Sequence, residues 1–70
     1  MFYKTLSARQ KEITDAMILG KTNEQIGAEL NVAIQTIKYH VAVLYKKASV
    51  KNRAQYIVKI MTELQYQEPA

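Results

Sequence analysis

Gln35, Lys38, Tyr39, Ala42 and Lys46 are spaced so that a helix would bring all five to one face. Their groups suit the edges of base pairs. A lysine ammonium donates to guanine O6 and N7, and a glutamine amide pairs with the edge of adenine. A tyrosine ring packs on thymine methyls while its hydroxyl reaches a base or phosphate, and an alanine lets the groove floor come close. The surrounding charge points the same way. From Lys38 to Lys59 there are six basic residues (Lys38, Lys46, Lys47, Lys51, Arg53, Lys59) and no acidic one. Overall the chain has ten Lys/Arg against six Asp/Glu, a net charge of +4 that by itself predicts only a tendency to meet polyanions.

Other chemistries find little support. His40 is the only histidine, and no cysteine or paired carboxylate is placed to make it a metal ligand or a base. No nucleophile–base arrangement, glycine-rich phosphate loop or metal-ligand spacing occurs. The expectation is a protein that is not an enzyme and takes no metal and no cofactor. Without cysteine there is no disulfide to staple a chain of 70 residues. That length is at the lower end of what one core can hold together, so a second copy is a natural source of further buried area. The longest apolar run, Ala16 to Leu19, is far too short to span a bilayer, and Met1-Phe2-Tyr3-Lys4 lacks the apolar segment of a secretory signal. The expected compartment is the cytoplasm, with no membrane partner.

The elements that must position these residues are helices. Ser7 with Gln10, and Thr22 with Gln25, are capping boxes in which each side chain satisfies a backbone N–H that the helix leaves orphaned. They predict helices over 8–19 and 23–30, stopped at Gly20 and Asn31, residues that tolerate the left-handed conformation. A third helix is expected over 34–47 with Ile37, Val41, Leu44 and Ala48 inward. A fourth, opened by Asn52 with Gln55 three residues on, is expected over 53–64, and residues 66–70 should form a frayed tail. The fold class is all-α, with four helices in one domain over residues 1–65.

Gly27 calls for a packing reason, because glycine inside a helix costs roughly 1 kcal/mol against alanine. Four residues later comes the turn at Asn31, bracketed by Leu30 and Val32, and Ile37 closes the pair from the next helix. A small residue, a turn and apolar brackets at these intervals predict a helix-turn-helix.

The full pattern reads Leu6-Ser7-x-Arg9-Gln10, then Gly20-x-Thr22-Asn23-x-Gln25-Ile26-Gly27-x-x-Leu30-x-Val32. It continues Thr36-Ile37-Lys38-x-His40-x-x-x-Leu44-x-x-Lys47-x-x-Val50-x-x-Arg53. This resembles the LuxR/GerE-type DNA-binding domain at the end of many bacterial response regulators and quorum sensors. The resemblance covers about two-thirds of the chain. It implies a four-helix LuxR-type helix-turn-helix fold, with Lys38, Tyr39 and Ala42 facing the bases and Gln35 beside them. It also implies phosphate contacts from Thr22, Asn23, Thr36, Lys46 and Lys47, and a structural His40. The chain departs from the family pattern at Ala33, where Ser or Thr usually caps the third helix. It departs again at Ala42, often a polar reader, and at Tyr56, where a small residue is common.

The fourth helix is apolar over more of its circumference than one core contact needs. Ala54, Ile57, Val58 and Met61 are expected to cover the helix-turn-helix pair, leaving Tyr56, Ile60 and Leu64 as a second stripe. Relatives of the resembled family dimerise through this helix, so those three residues are the expected seam of a homodimer. The expected function is that of a stand-alone, sequence-specific transcriptional regulator that binds double-stranded DNA as a dimer on a palindromic operator. The alternative is a small interaction protein that pairs with a larger LuxR-type regulator and modulates it. RNA polymerase is the other protein partner that the reading allows.

Overall fold

A computed structural model describes residues 1–66 of the chain, as a 3-10 turn followed by four helices, with no strand among the described residues. The turn is Tyr3–Thr5, and the helices are α1 (Ala8–Ile18), α2 (Asn23–Leu30), α3 (Ile34–Ala48) and α4 (Arg53–Tyr66). Of the tail expected to fray, Tyr66 closes α4 and the remaining four residues lie outside the described part.

Both capping boxes are closed. The Ser7 hydroxyl accepts from the Gln10 N–H at 3.2 Å while Gln10 Oε1 accepts from the Ser7 N–H at 2.9 Å. Thr22 and Gln25 repeat the arrangement at 3.1 and 2.8 Å. At the start of α4 the arrangement differs. Asn52 Oδ1 accepts from the Gln55 N–H, but Gln55 Oε1 reaches one residue further back and takes the Lys51 N–H at 2.8 Å. At Ala33, ahead of α3, no side chain caps the helix. The left-handed stops are Gly20 (φ 84°), Asn31 (φ 57°) and Ser49 (φ 59°), the last not anticipated from sequence.

The core is built from Leu6, Ile13, Met17, Ile26, Ile37, Val41, Leu44, Ala48, Tyr56 and Ile60, which draws on all four helices. Burial of each large apolar side chain contributes about 1.5–3 kcal/mol. Gly27 shows why it must be glycine. A Cβ there would lie 2.6 Å from the carbonyl oxygen of Val32, in the backbone of the turn between α2 and α3. The close approach is fixed by the Val32 N–H, which donates to the Gly27 carbonyl at 2.8 Å.

In α4 the two expected stripes are exchanged. Tyr56 and Ile60 are completely buried, whereas Val58 and Met61 are 63% and 49% exposed and Ala54 is also exposed. The reason lies in Thr14. This threonine sits on the buried face of α1, where its hydroxyl needs a partner, and the Tyr56 hydroxyl supplies one at 2.8 Å. A tyrosine can face the core because its polar end is satisfied there. Leu64, 39% exposed, is the only member of the expected seam that remains at the surface.

The N-terminal turn latches onto this end of the molecule. The N–H groups of Phe2 and Tyr3 donate to the Glu63 carboxylate at 3.3 and 3.1 Å, and the Phe2 ring meets the Tyr56 ring edge-on at 6.1 Å. The Tyr3 hydroxyl donates to Asp15 on α1 at 2.8 Å.

Candidate nucleic-acid interface

On α3 the buried face consists of Ile37, Val41, Leu44 and Ala48. Gln35, Thr36, Lys38, Tyr39, Ala42, Lys46 and Lys47 are all exposed, Tyr39 at 67%. At 3.6 residues per turn, Ala42, Gln35, Lys46 and Tyr39 fall within an arc of roughly 60°. Lys38 stands about 60° to one side of Gln35, while Thr36 and Lys47 stand about 100° or more to the other. The face therefore has a centre of mixed donors and an aromatic ring, and cationic or hydroxyl groups along both flanks. Lys46 lies in line with Gln35 and Tyr39 rather than at a flank, near the opposite end of the helix.

None of these side chains has a hydrogen-bond or ion-pair partner among the described residues. The Tyr39 ring meets the His40 ring at 6.1 Å, and His40 is half-buried beside the packed face. Among the described residues, no three His, Asp or Glu side chains gather in a way that could hold a metal ion.

The start of α2 presents a second group of donors. Thr22 is exposed and Asn23 half-buried. The Thr22 oxygen accepts the Gln25 N–H, which leaves its hydroxyl proton available to an outside acceptor. The first-turn N–H groups of a helix have no partner within it, and they carry the positive end of the helix dipole. An anion is favoured there.

The expected readers and phosphate holders thus occupy two places, the outer face of α3 and the start of α2, joined by the tight turn at Asn31. This is the arrangement of a helix-turn-helix. The family description that matches, over residues 4–60, is GerE, bacterial regulatory proteins of the luxR family. This chain belongs to the LuxR family. Its relatives in that family are named as transcriptional regulators. YhjB of Escherichia coli, named for the HTH-type transcriptional regulators, is 46% identical over 52 residues, 74% of this chain and 26% of its own length. NarL of Mycobacterium tuberculosis is 40% identical over 58 residues, 83% of this chain and 27% of NarL. LiaR of Bacillus subtilis is 38% identical over 56 residues, 80% of this chain and 26% of LiaR. The chain spans about a quarter of the length of these relatives. The LuxR family is one of DNA-binding bacterial regulators and not a class of enzymes. No helix of the described residues is long and apolar enough to cross a membrane.

Three features of this LuxR-family domain escaped the reading of its sequence. Arg53 extends its guanidinium across to the carbonyls of Met17, at 3.1 Å, and Lys21. Its signal was a cation in the first turn of a helix, where the dipole disfavours positive charge. Glu63 holds the N-terminal backbone, which no local pattern announces because it lies 60 positions from Tyr3. The exposed apolar stripe of α4 is Val58, Met61 and Leu64, and the buried Thr14 would have pointed to it by showing where Tyr56 must turn.

Proposed function

We propose that this chain is a sequence-specific DNA-binding transcriptional regulator that places α3 in the major groove and binds a palindromic operator as a dimer. The observation that carries the reading is the outer face of α3, where Gln35, Lys38 and Tyr39 have no hydrogen-bond or ion-pair partner among the described residues. Donors already committed inside the protein would have to break bonds to reach a base, and these do not. In this reading Lys38 and Tyr39 read bases with Gln35 and Ala42 beside them, and Thr22, Asn23, Thr36, Lys46 and Lys47 hold phosphates. Regulation is its role, catalysis is not, and the cytoplasm is its compartment.

The dimer is proposed on the stripe of α4 that is exposed, Val58, Met61 and Leu64, with Ala54 at its edge. Three apolar side chains in water on a small domain favour a partner surface. A two-fold pairing there would present two copies of α3 about one DNA turn, roughly 34 Å, apart. Tyr56 and Ile60 are no part of this seam, since the core encloses them.

Selection from a random duplex library, followed by binding to the selected duplex at several salt concentrations, tests the reading. An enriched two-fold motif, bound far more tightly than random DNA, is the expected result. Weak binding to every sequence with a steep salt dependence would sink it. It would favour the second reading, in which the same apolar stripe docks on a larger LuxR-type regulator.

A further inference from the structure

We infer that Arg53 is a positioning residue for DNA binding: pinned on the carbonyls of Met17 and Lys21, it fixes where the phosphate-holding start of α2 stands relative to the end of α3. The inference rests on the DNA-binding reading above, and it adds a residue that acts through Thr22 and Asn23.

The connection between α1 and α2 spans only Leu19 to Thr22 and turns through Gly20 at φ 84°. It is an open turn, since a Cβ at Gly20 would meet nothing within 4 Å. Two backbone ties from α1 hold it, Gly20 N–H to the Met17 carbonyl at 2.9 Å and Lys21 N–H to the Ala16 carbonyl at 3.1 Å, and the Lys21 ammonium pairs with Glu29 of α2 at 2.7 Å. A further tie comes from a distant part of the chain. A single guanidinium nitrogen of Arg53 donates both to Met17, in the last turn of α1, and to Lys21, the residue before the Thr22 cap.

Arg53 is the first residue of α4, immediately after the turn in which Ser49 ends α3. A cation there opposes the dipole of its own helix, whereas the carbonyl end of α1 favours it. The Tyr45 phenol on α3 feels the same charge. Burial pushes its pKa up, and the nearby Arg53 guanidinium partly offsets the rise. One side chain thus refers the start of α2, with Thr22 and Asn23, to the end of α3, with Lys46 and Lys47. Those are the two phosphate-holding ends of the proposed interface, and a clamp on two phosphates works only if their spacing is held.

The test compares wild type, Arg53→Met, Arg53→Lys, Asn23→Ala and the double variant Arg53→Met/Asn23→Ala. Anisotropy is measured on the selected duplex across a salt series, at a temperature where circular dichroism shows each variant folded. Arg53→Met should lose roughly tenfold in affinity with little change in the slope of log K against log salt, since the donors it positions, Thr22 and Asn23, are uncharged. Arg53→Lys should keep most of the affinity, because an ammonium offers donors to the same carbonyls. Asn23→Ala should lose a similar amount, and the double variant should be little worse than either single. Folded Arg53→Met with unchanged affinity would overturn the inference by showing that the bond serves stability alone. A loss that adds in full to that of Asn23→Ala would also overturn it, because Arg53 would then touch DNA itself. If Arg53→Met does not fold, Arg53→Gln replaces it and the same coupling decides. Failure of wild type to prefer any duplex would show first and separately, and it would remove the DNA reading and this inference together.

Discussion

Helices α3 and α4 are nearly equal in length, and they dispose of their polar groups in opposite ways. On α3 Ile37, Val41, Leu44 and Ala48 are buried, and Gln35, Lys38, Tyr39, Lys46 and Lys47 stand in water without hydrogen-bond or ion-pair partners among the described residues. On α4 several polar groups are engaged inside the molecule. Arg53 holds two carbonyls, Gln55 holds the Lys51 N–H, and Glu63 holds the N-terminal backbone with Lys59 4.0 Å away. Among what α4 leaves exposed is an apolar group, Val58, Met61 and Leu64, beside the polar Thr62 and Gln65. Free donors can meet an acceptor-rich partner without breaking anything, and free apolar groups lower their free energy only against other apolar groups. The two helices are thus suited to two chemically different partners, a nucleic acid and a protein surface.

The contrast within α4 is the easiest to break and carries the largest expected effect. Ile60→Ala should destabilise the fold by about 2–5 kcal/mol, because it empties a fully enclosed site. Val58→Ala, two positions away, should change the stability of the monomer by no more than about 0.5 kcal/mol. Thermal melts at low protein concentration would show this, since a dimer would add its own stabilisation at high concentration. Equal losses at the two positions would mean that α4 is rotated from the orientation described. Val58→Asp together with Met61→Asp should leave the melt intact while lowering the mass in solution, read by sedimentation.

On α3 the expected effects are smaller and of two kinds. Lys38→Ala should cost about 1–3 kcal/mol on the selected duplex and relax the preference at one base position. Lys47→Ala, on the far flank, should weaken all sequences alike and reduce the salt slope by about one. Identical behaviour of the two variants on selected and random DNA would erase the distinction between a base reader and a phosphate holder.

How far each helix could be read from sequence follows from the same contrast. In α3 the apolar positions Ile37, Val41, Leu44 and Ala48 form one stripe with polar residues opposite, so the period alone assigns inside and outside. In α4, Ile57, Val58 and Met61 compete with Tyr56, Ile60 and Leu64. A helix that is apolar on two sides reveals that both faces have work to do but not which faces the core. That choice depends on a long-range partner, Thr14, 42 residues away from Tyr56. The exposed face of α3 was legible for the same reason as its core, and the Arg53 and Glu63 ties were not, since each spans more than 30 residues.

Tyr56→Phe probes that long-range choice with a smaller expected effect. It keeps the ring and leaves the buried Thr14 hydroxyl without its partner, which should cost about 1–3 kcal/mol at neutral pH. The variant should also change the response to alkali. Burial raises the Tyr56 pKa above its ordinary 10.0, an effect that the Thr14 hydrogen bond partly opposes. Tyr3, bonded to Asp15, and the partly buried Tyr45 are raised as well. Above pH 10 the unfolded chain then releases protons that the folded chain still holds, so stability falls as pH rises. Removing one of the three phenols should make that decline shallower. A decline as steep as that of wild type would mean that Tyr56 contributes nothing to it.

The smallest expected effect sharpens the contrast at the start of α3. Every other helix beginning has a side-chain acceptor, Ser7, Thr22 or Asn52, and Ala33 has none. Ala33→Ser restores an oxygen that can accept from the first turn of α3, and it should raise stability by about 0.5–1 kcal/mol, seen as a higher melting temperature. It also places a hydroxyl beside Gln35 and Thr36, at the start of α3, directly after the turn that ends α2. If the interface is the one described, the gain in DNA affinity should exceed what added stability explains, since the domain is already folded when it binds. A variant that melts higher but binds the selected duplex no better would mean that this end of α3 stands clear of the phosphate backbone. Thr36 would then drop out of the set of phosphate holders.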